Sequence, residues 1–112
     1  MIELNTTQKD KITIVEVGGR VVYESEGEFR STISNLLDAD KVNIVLDLSN
    51  LSYINSSGLG ILINLLKTAQ RRGGDIKLAN LQGEIRELFS ITSLDQVFGI
   101  YSSVEEAIEA FK

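Results

Sequence analysis

The first part of the chain alternates between apolar and polar residues. Residues 2–8 follow this alternation, and after the polar residues 9–11 a second apolar run occupies residues 12–17. A period of two is typical of strands that bury one face. The pattern therefore predicts two antiparallel strands, the second of which ends at Gly18 and Gly19.

Helical spacing follows at about residues 25–38. Ser25 and Glu28 have the spacing of a capping box, in which each side chain satisfies a free backbone N–H group at the helix start. Four apolar residues behind them repeat at helical intervals: Phe29, Ile33, Leu36 and Leu37. We therefore expect a first amphipathic helix that is capped by Ser25.

Two apolar segments mark the centre of the fold. Residues 42–48 form a nearly continuous aliphatic run, which is typical of a strand buried on both faces of a parallel sheet. Residues 59–72 are apolar nearly all round and end in two arginines followed by Gly73 and Gly74. Basic residues before glycine are typical of a helix C-terminus, so this segment is predicted to be a buried helix.

The remaining elements alternate between strand and helix. A strand is predicted at residues 76–78, a helix around Ile85 and Phe89, a strand at residues 97–101 and a last helix capped by Ser103. The sequence contains no proline and no repeat that would mark a domain boundary. We therefore predict one α/β domain over residues 1–112, with a mixed, mostly parallel sheet of about four or five strands and about four helices.

Composition excludes several classes of protein. Eleven basic and sixteen acidic residues give a net charge of −5, which repels phosphate backbones. We therefore do not expect the protein to bind nucleic acid. The longest apolar run starts at Leu59 and is interrupted at Asn64, too early to span a bilayer, and no signal-peptide pattern opens the chain. We expect a cytoplasmic protein without membrane insertion.

The chain has no cysteine and no histidine. Thiol nucleophiles, thiolate or imidazole metal sites and the usual Ser-His catalytic pairs are therefore absent. Neither a G-x-S-x-G turn nor a glycine-rich loop with lysine is present. We expect no enzyme activity, no cofactor and no metal site.

The most informative segment runs from Asp47 to Gly60. It joins the predicted central strand to the buried helix, whose first N–H groups need capping by an oxygen such as that of Asn55 or Ser56. Capping alone is enough to explain these residue types. A serine hydroxyl at a helix N-terminus can also receive a phosphoryl group, because the partial positive charge there favours an anion.

The same segment resembles the signature of STAS domains in bacterial anti-sigma-factor antagonists, D-L-S, a spacer, then D-S-S-G-L-G. The resemblance continues through Gly19, the glycine pair 73–74, residues 88–89 and the closing residues 104–107, in the same order. It implies a single STAS domain. It also implies that the unphosphorylated protein binds an anti-sigma factor that is a serine kinase, which releases a sigma factor.

By position in the motif, the resemblance implies that Ser56 is the phosphorylated serine, with Ser57 as the second candidate, and that a serine phosphatase reverses the modification. It implies a docking face formed by residues of the motif: Tyr53, Asn55, Ser56, Ser57, Gly58 and Leu59. The chain departs from the family pattern at Asn55 and Val22, where the family has Asp. Both departures remove a carboxylate near the site.

Other polar and aromatic residues have structural explanations. Asp47 is expected to accept hydrogen bonds from loop N–H groups, because no acidic cluster of the kind a phosphoaspartate receiver needs accompanies it. The acids Glu24, Glu26 and Glu28 fit a solvated helix start, although they can also contact a basic partner. Three aromatic residues are expected to be buried or half-buried: Tyr53, Phe89 and Phe98.

Alternatives to the kinase-regulated binding module remain at this point. A STAS scaffold, or an accessory subunit of a lipid or anion transport system that is never phosphorylated, is favoured slightly by the changes at Asn55 and Val22. A nucleotide-binding turn at residues 56–58 is physically possible, but no accompanying lysine supports it. A hydrolase fits least, since the chain lacks histidine.

Overall fold

The structure is a computed structural model that describes residues 2–112. Strands and helices alternate along most of the chain. In chain order the elements are β1 (Ile2–Lys9), β2 (Ile12–Val21), α1 (Tyr23–Asp38), β3 (Asn43–Asp47), β4 (Leu51–Ile54), α2 (Ser56–Arg71), β5 (Asp75–Ala79), α3 (Gly83–Ile91), a 3-10 turn (Leu94–Gln96), β6 (Gly99–Tyr101) and α4 (Val104–Glu109). No helix within the described residues is long and apolar enough to cross a membrane.

The strands form one mixed sheet in the order β1-β2-β3-β5-β6, with β4 paired to β2. Among the strand pairs of residues 2–112, only β1 and β2 are antiparallel, and every other pair is parallel. The predicted α/β class and mostly parallel sheet are therefore confirmed. The prediction did not include β4, because four residues with two exposed side chains in the middle carry no clear strand pattern.

Helices cover both faces of the sheet. The central strand β3 turns Ile44 and Leu46 toward a large core shared with α1, α2 and α3, and it turns Val45 toward a smaller cluster beneath α4. This division follows from the alternation of side chains along a strand. Burial of β3 on both faces, as its aliphatic run predicted, makes it the centre of the domain.

The start of α1 differs from the prediction. The helix begins at Tyr23, and Val22 rather than Ser25 is its N-cap residue. Ser25 is buried in the first turn, where its hydroxyl oxygen accepts from the Val22 N–H at 3.0 Å and the hydroxyl donates to the Arg20 carbonyl at 2.8 Å. The predicted Ser25–Glu28 capping box is thus wrong, because Ser25 bonds backward into the end of β2.

Two further boundaries shift. Helix α2 begins at Ser56, within the turn-rich stretch, and not at the first leucine after it. Strand β6 begins at Gly99, because the backbone N–H groups of Val97 and Phe98 bond back to the Leu94 carbonyl in the turn that follows the 3-10 segment. The three N-terminal residues added to α2 place the candidate serines inside its first turn.

The connection from α2 to β5 requires glycine at position 74. A Cβ atom there would lie 2.1 Å from the carbonyl oxygen of Val42, which is backbone and cannot move aside easily. At Gly27, inside α1, an added Cβ would meet nothing within 4 Å. The two glycines therefore differ in what they do for the fold.

We predict opposite effects for alanine at these two positions. Gly74→Ala should lower the free energy of unfolding by about 1–3 kcal/mol or more, because overpacking against backbone forces the chain to shift. Gly27→Ala should raise it by roughly 0.5–1 kcal/mol, because alanine has less entropy to lose in a helix. Urea denaturation of both variants measures the difference, and equal effects would contradict the packing argument.

Candidate functional site

The pairing of β2 with β4 brings two helix N-termini together. Arg20 lies beside Tyr53 and Val21 beside Ile54 in parallel register, and each strand leads within two residues into a helix. Because both strands end at the same edge of the sheet, α1 and α2 start side by side there. The candidate serines therefore lie next to the first turn of α1.

Asn55 caps α2. Its side-chain Oδ1 accepts from the Gly58 N–H at 2.7 Å, and its own backbone N–H donates to the Val21 carbonyl at 3.0 Å. The first bond satisfies a helix N–H group that has no intrahelical acceptor, and the second attaches the turn to β2. The predicted capping by Asn55 is confirmed, and it does not need the carboxylate that the family motif has at this position.

Glu26 of α1 connects the two helix starts. Its Oε2 accepts from the Asn55 side-chain amide at 2.8 Å and from the Ser57 hydroxyl at 2.5 Å. The acids at the start of α1 were expected to be solvated, but Glu26 is partly buried and makes two side-chain hydrogen bonds. Although Asn55 and Val22 replace the family's aspartates, the site retains a carboxylate, which α1 supplies one turn after its start.

These hydrogen bonds also set the charge state of Glu26. The hydroxyl of Ser57, and then the amide of Asn55, lower the pKa of Glu26 below its ordinary value of 4.5; burial opposes them with a smaller effect, and the Arg30 charge contributes least. Hydrogen bonds donated to a carboxylate favour its ionised form. Glu26 is therefore a negative charge at this site at neutral pH.

The two serine hydroxyls are in different environments. Ser57 donates to Glu26, whereas the Ser56 side chain is exposed and has no hydrogen bond with any group in residues 2–112. The backbone N–H groups of Ser56 and Ser57 likewise find no acceptor in this part of the chain. Ser56 thus offers a free hydroxyl beside two free N–H groups.

The next residues of the motif lie beneath this surface. Leu59 is 8% exposed and packs in the main core, and Gly58 is buried as well. A Cβ atom at Gly58 would lie 2.8–2.9 Å from side-chain atoms of Val21, Ile54 and Asn55. Gly58 and Leu59, which the motif placed in a docking face, hold the helix against the sheet and present little side-chain surface to a partner.

Tyr53 lies on the surface. Its side chain is 44% exposed, and the guanidinium carbon of Arg20 lies 4.9 Å from the centre of its ring, within cation–π range. The expected burial is correct for Phe89 and Phe98, which meet edge to face in the core, but not for Tyr53. Sequence patterns missed the pairing of Arg20 with Tyr53 because β4 itself was not predicted.

Asp47 has a structural role. Its Oδ1 accepts from the Ser49 N–H at 3.1 Å and from the Asn80 side-chain amide at 3.0 Å, which joins the turns that follow β3 and β5. The prediction that loop donors satisfy this acid is confirmed. Within residues 2–112 no group of three or more acidic side chains is arranged to hold a metal ion.

The family model for the STAS domain matches residues 3–107, so the chain belongs to the STAS domain family. BtrV of Bordetella bronchiseptica, named as a proposed anti-sigma factor antagonist, is 29% identical over 91% of this chain and 95% of its own length. The anti-sigma-B factor antagonist of Staphylococcus aureus is 26% identical, covering 93% of this chain and 96% of the relative. Both relatives therefore align along almost their whole length.

Solved structures support the same fold. A Thermotoga maritima protein, described as a proposed anti-sigma factor antagonist, has a TM-score of 0.90 at 26% identity over 96% of this chain and 93% of its own. The phosphorylated form of the Bacillus protein SpoIIAA has a TM-score of 0.75 at 19% identity, with full coverage of both chains. The mouse anion transporter Slc26a9 contains a similar region, with a TM-score of 0.76 at 20% identity over 91% of this chain and 18% of the transporter.

We predict that the pKa of Glu26 depends on Ser57 and not on Ser56. In a carboxyl NMR titration, Ser57→Ala should raise the pKa of Glu26 toward 4.5, because it removes the largest hydrogen-bond contribution. Ser56→Ala is the matched control and should leave it unchanged. A Glu26 pKa that is equal in all three proteins would contradict the described hydrogen bond.

The same hydrogen bonds link stability to pH. Because the pKa of Glu26 is lower in the folded than in the unfolded chain, its stabilisation is present above the ordinary carboxyl pKa and is lost as pH falls through the lowered native value. Glu26→Gln should therefore reduce the loss of unfolding free energy between neutral and acidic pH. Denaturation curves with the same acid dependence as the wild type would count against this coupling.

Proposed function

We propose that this protein is an anti-sigma-factor antagonist whose activity is controlled by phosphorylation of Ser56. The unphosphorylated form binds an anti-sigma factor that is also a serine kinase, and this binding releases a sigma factor. The observation that carries the proposal is the environment of Ser56: an exposed, unbonded hydroxyl in the first turn of α2, beside two N–H groups without acceptors. A serine phosphatase would restore the binding form.

The helix start favours a phosphoryl group on Ser56. A phosphoserine carries a charge of about −1.5 to −2 and several acceptor oxygens, and the free N–H groups of residues 56 and 57 are donors for them. Such an anion at a helix N-terminus gains roughly 0.3–1 kcal/mol from the helix dipole. The cap made by Asn55 to Gly58 involves neither serine hydroxyl, so the modified protein keeps its fold.

The neighbouring carboxylate disfavours Ser57 as the acceptor. Its hydroxyl is bonded to Glu26, so a kinase would have to break this bond to reach it. A phosphoryl group on Ser57 would then lie against the ionised Glu26, and like charges in contact are destabilising. The Ser56 hydroxyl makes no hydrogen bond to Glu26, so a kinase reaches it without breaking one.

Phosphorylation of Ser56 would act on the partner surface. The docking face consists of exposed and partly exposed groups around the start of α2, namely Tyr53 with Arg20, Asn55, Ser56, Ser57 and Glu26. An added dianion beside Glu26 concentrates negative charge where the partner docks. Burying such a charge without a compensating cation costs several kcal/mol, which corresponds to orders of magnitude in affinity.

The protein acts in this proposal as a cytoplasmic binding module without catalytic activity of its own. The site contains no histidine or cysteine. The hydrogen bonds from Ser57 and Asn55 lower the pKa of the Glu26 carboxylate, which makes it a poor proton acceptor. Binding and release of protein partners need only the surface described above.

The second candidate is a STAS scaffold or an accessory subunit of an anion or lipid transport system. It is favoured by the structural similarity to a region of an anion transporter and by Asn55 in place of the aspartate of the motif. In this case Ser56 would never be phosphorylated and the α2 start would contact another domain directly.

We predict that cells of origin contain a kinase that modifies Ser56. Pure protein incubated with ATP and lysate should carry one phosphate, located within the tryptic peptide Val42–Lys67 by tandem mass spectrometry. Ser56→Ala should abolish the modification, whereas Ser57→Ala, the matched control, should keep it. The purified phosphorylated form should bind the isolated kinase at least about tenfold more weakly than the unmodified form, because the dianion must be desolvated.

Whether the protein is phosphorylated at all separates the two candidate functions, the phosphorylation-controlled antagonist and the scaffold or transport subunit. An unmodified peptide, in a lysate that phosphorylates an added family member, would favour the scaffold or transport role. Phosphate on Ser57 in the wild type would contradict the assignment to Ser56 while leaving the switch in place.

A further inference from the structure

Strand β1 forms an exposed edge of the sheet. It pairs with β2 on one side only, and no other strand or loop of residues 2–112 bonds to its opposite side. Its eight residues, Ile2–Lys9, pair with β2 in continuous register, and the side chains from Asn5 onward are all exposed. The outer side of β1 therefore carries a row of free N–H and C=O groups.

This edge lacks the usual features that prevent strand addition. Sheet edges are normally protected by proline, a bulge, a covering segment or charges in the middle of the strand. The chain has no proline, the β1–β2 register has no bulge, and the charged residues of β1 lie near its two ends at Glu3 and Lys9. The centre of the strand, residues 5–7, is uncharged.

The positions of the two charges make β1 complementary to itself. In an antiparallel pair of two copies centred on Thr6, Glu3 lies opposite Lys9 of the second copy, and Asn5 lies opposite Thr7. Opposed side chains of an antiparallel pair share a face, so two symmetric Glu–Lys pairs form. A shift of one residue loses both charge pairs. A shift of two places Glu3 opposite Thr7 or opposite Lys11, which lies in the turn beyond the strand, and an in-register parallel pairing places like charges together.

We propose that two copies of this protein associate through their β1 edges, antiparallel about Thr6, to form a two-fold symmetric dimer with a sheet continuous through both copies. An antiparallel pairing of two identical strands has a two-fold axis at its centre. The same edge is used by both copies, so the assembly closes at two subunits. One short strand per copy buries little area, so the dimer forms in the micromolar to millimolar range of concentration. None of the residues of the Ser56 site lies in β1, and the dimer does not depend on the proposed function.

Charge exchange tests the register. Sedimentation equilibrium should show a wild-type dimer, and Glu3→Lys or Lys9→Glu alone should weaken it about tenfold, because each turns both attractive pairs into repulsive ones. The double variant E3K/K9E restores opposite charges and should dimerise as the wild type does. A wild type that stays monomeric at millimolar concentration, or variants that all associate equally, would overturn the proposal.

A cysteine placed on the axis provides a second test, since the natural chain has none. Opposed Cα atoms in an antiparallel pair are about 4.5–5.5 Å apart, which suits a disulfide, so Thr6→Cys should cross-link two copies readily on oxidation. Thr7→Cys is the matched control, because position 7 opposes position 5 and its symmetry mate lies beyond about 7 Å. Equal cross-linking of the two variants would exclude the proposed axis.

Discussion

The parallel pairing of β4 with β2 is the contact on which the site depends. β2 pairs with β3 through residues 13–16 and with β4 through residues 19–21, so one long strand organises two different neighbours. The second contact places the start of α2 beside the start of α1. Without it, Asn55 would have no Val21 carbonyl to bond, and Glu26 would lie far from the serines of the motif.

The hydrogen bonds of Glu26 explain how the site can differ from the family motif and remain polar and ordered. Asn55 accepts from Gly58 with one side-chain atom and donates to Glu26 with the other, which an aspartate cannot do while ionised. Glu26 of α1 thus supplies a carboxylate next to position 55, where this chain has none of its own. It keeps a negative charge at the start of α2 while the free hydroxyl of Ser56 stays accessible.

Most of the fold was predictable from local patterns. The alternation in β1 and β2, the aliphatic run of β3 and the apolar spacing of α1 each identified their elements, because burial imposes the period of the secondary structure on the sequence. Prediction failed where a tertiary contact decides the local structure. β4 is four residues long and half exposed, and Ser25 bonds to Arg20 and Val22 rather than to the residue three positions later.

The candidate site divides in the same way. The sequence alone identified the serines, the capping residue Asn55 and the family, since a helix start needs specific residue types in a specific order. Only the tertiary structure gave the two serine hydroxyls different surroundings, buried Leu59, exposed Tyr53 and brought Glu26 to the motif across 29 residues of chain. The physical reason is that residue type determines which bonds a group can make, while the packing of separate segments determines which partner it meets.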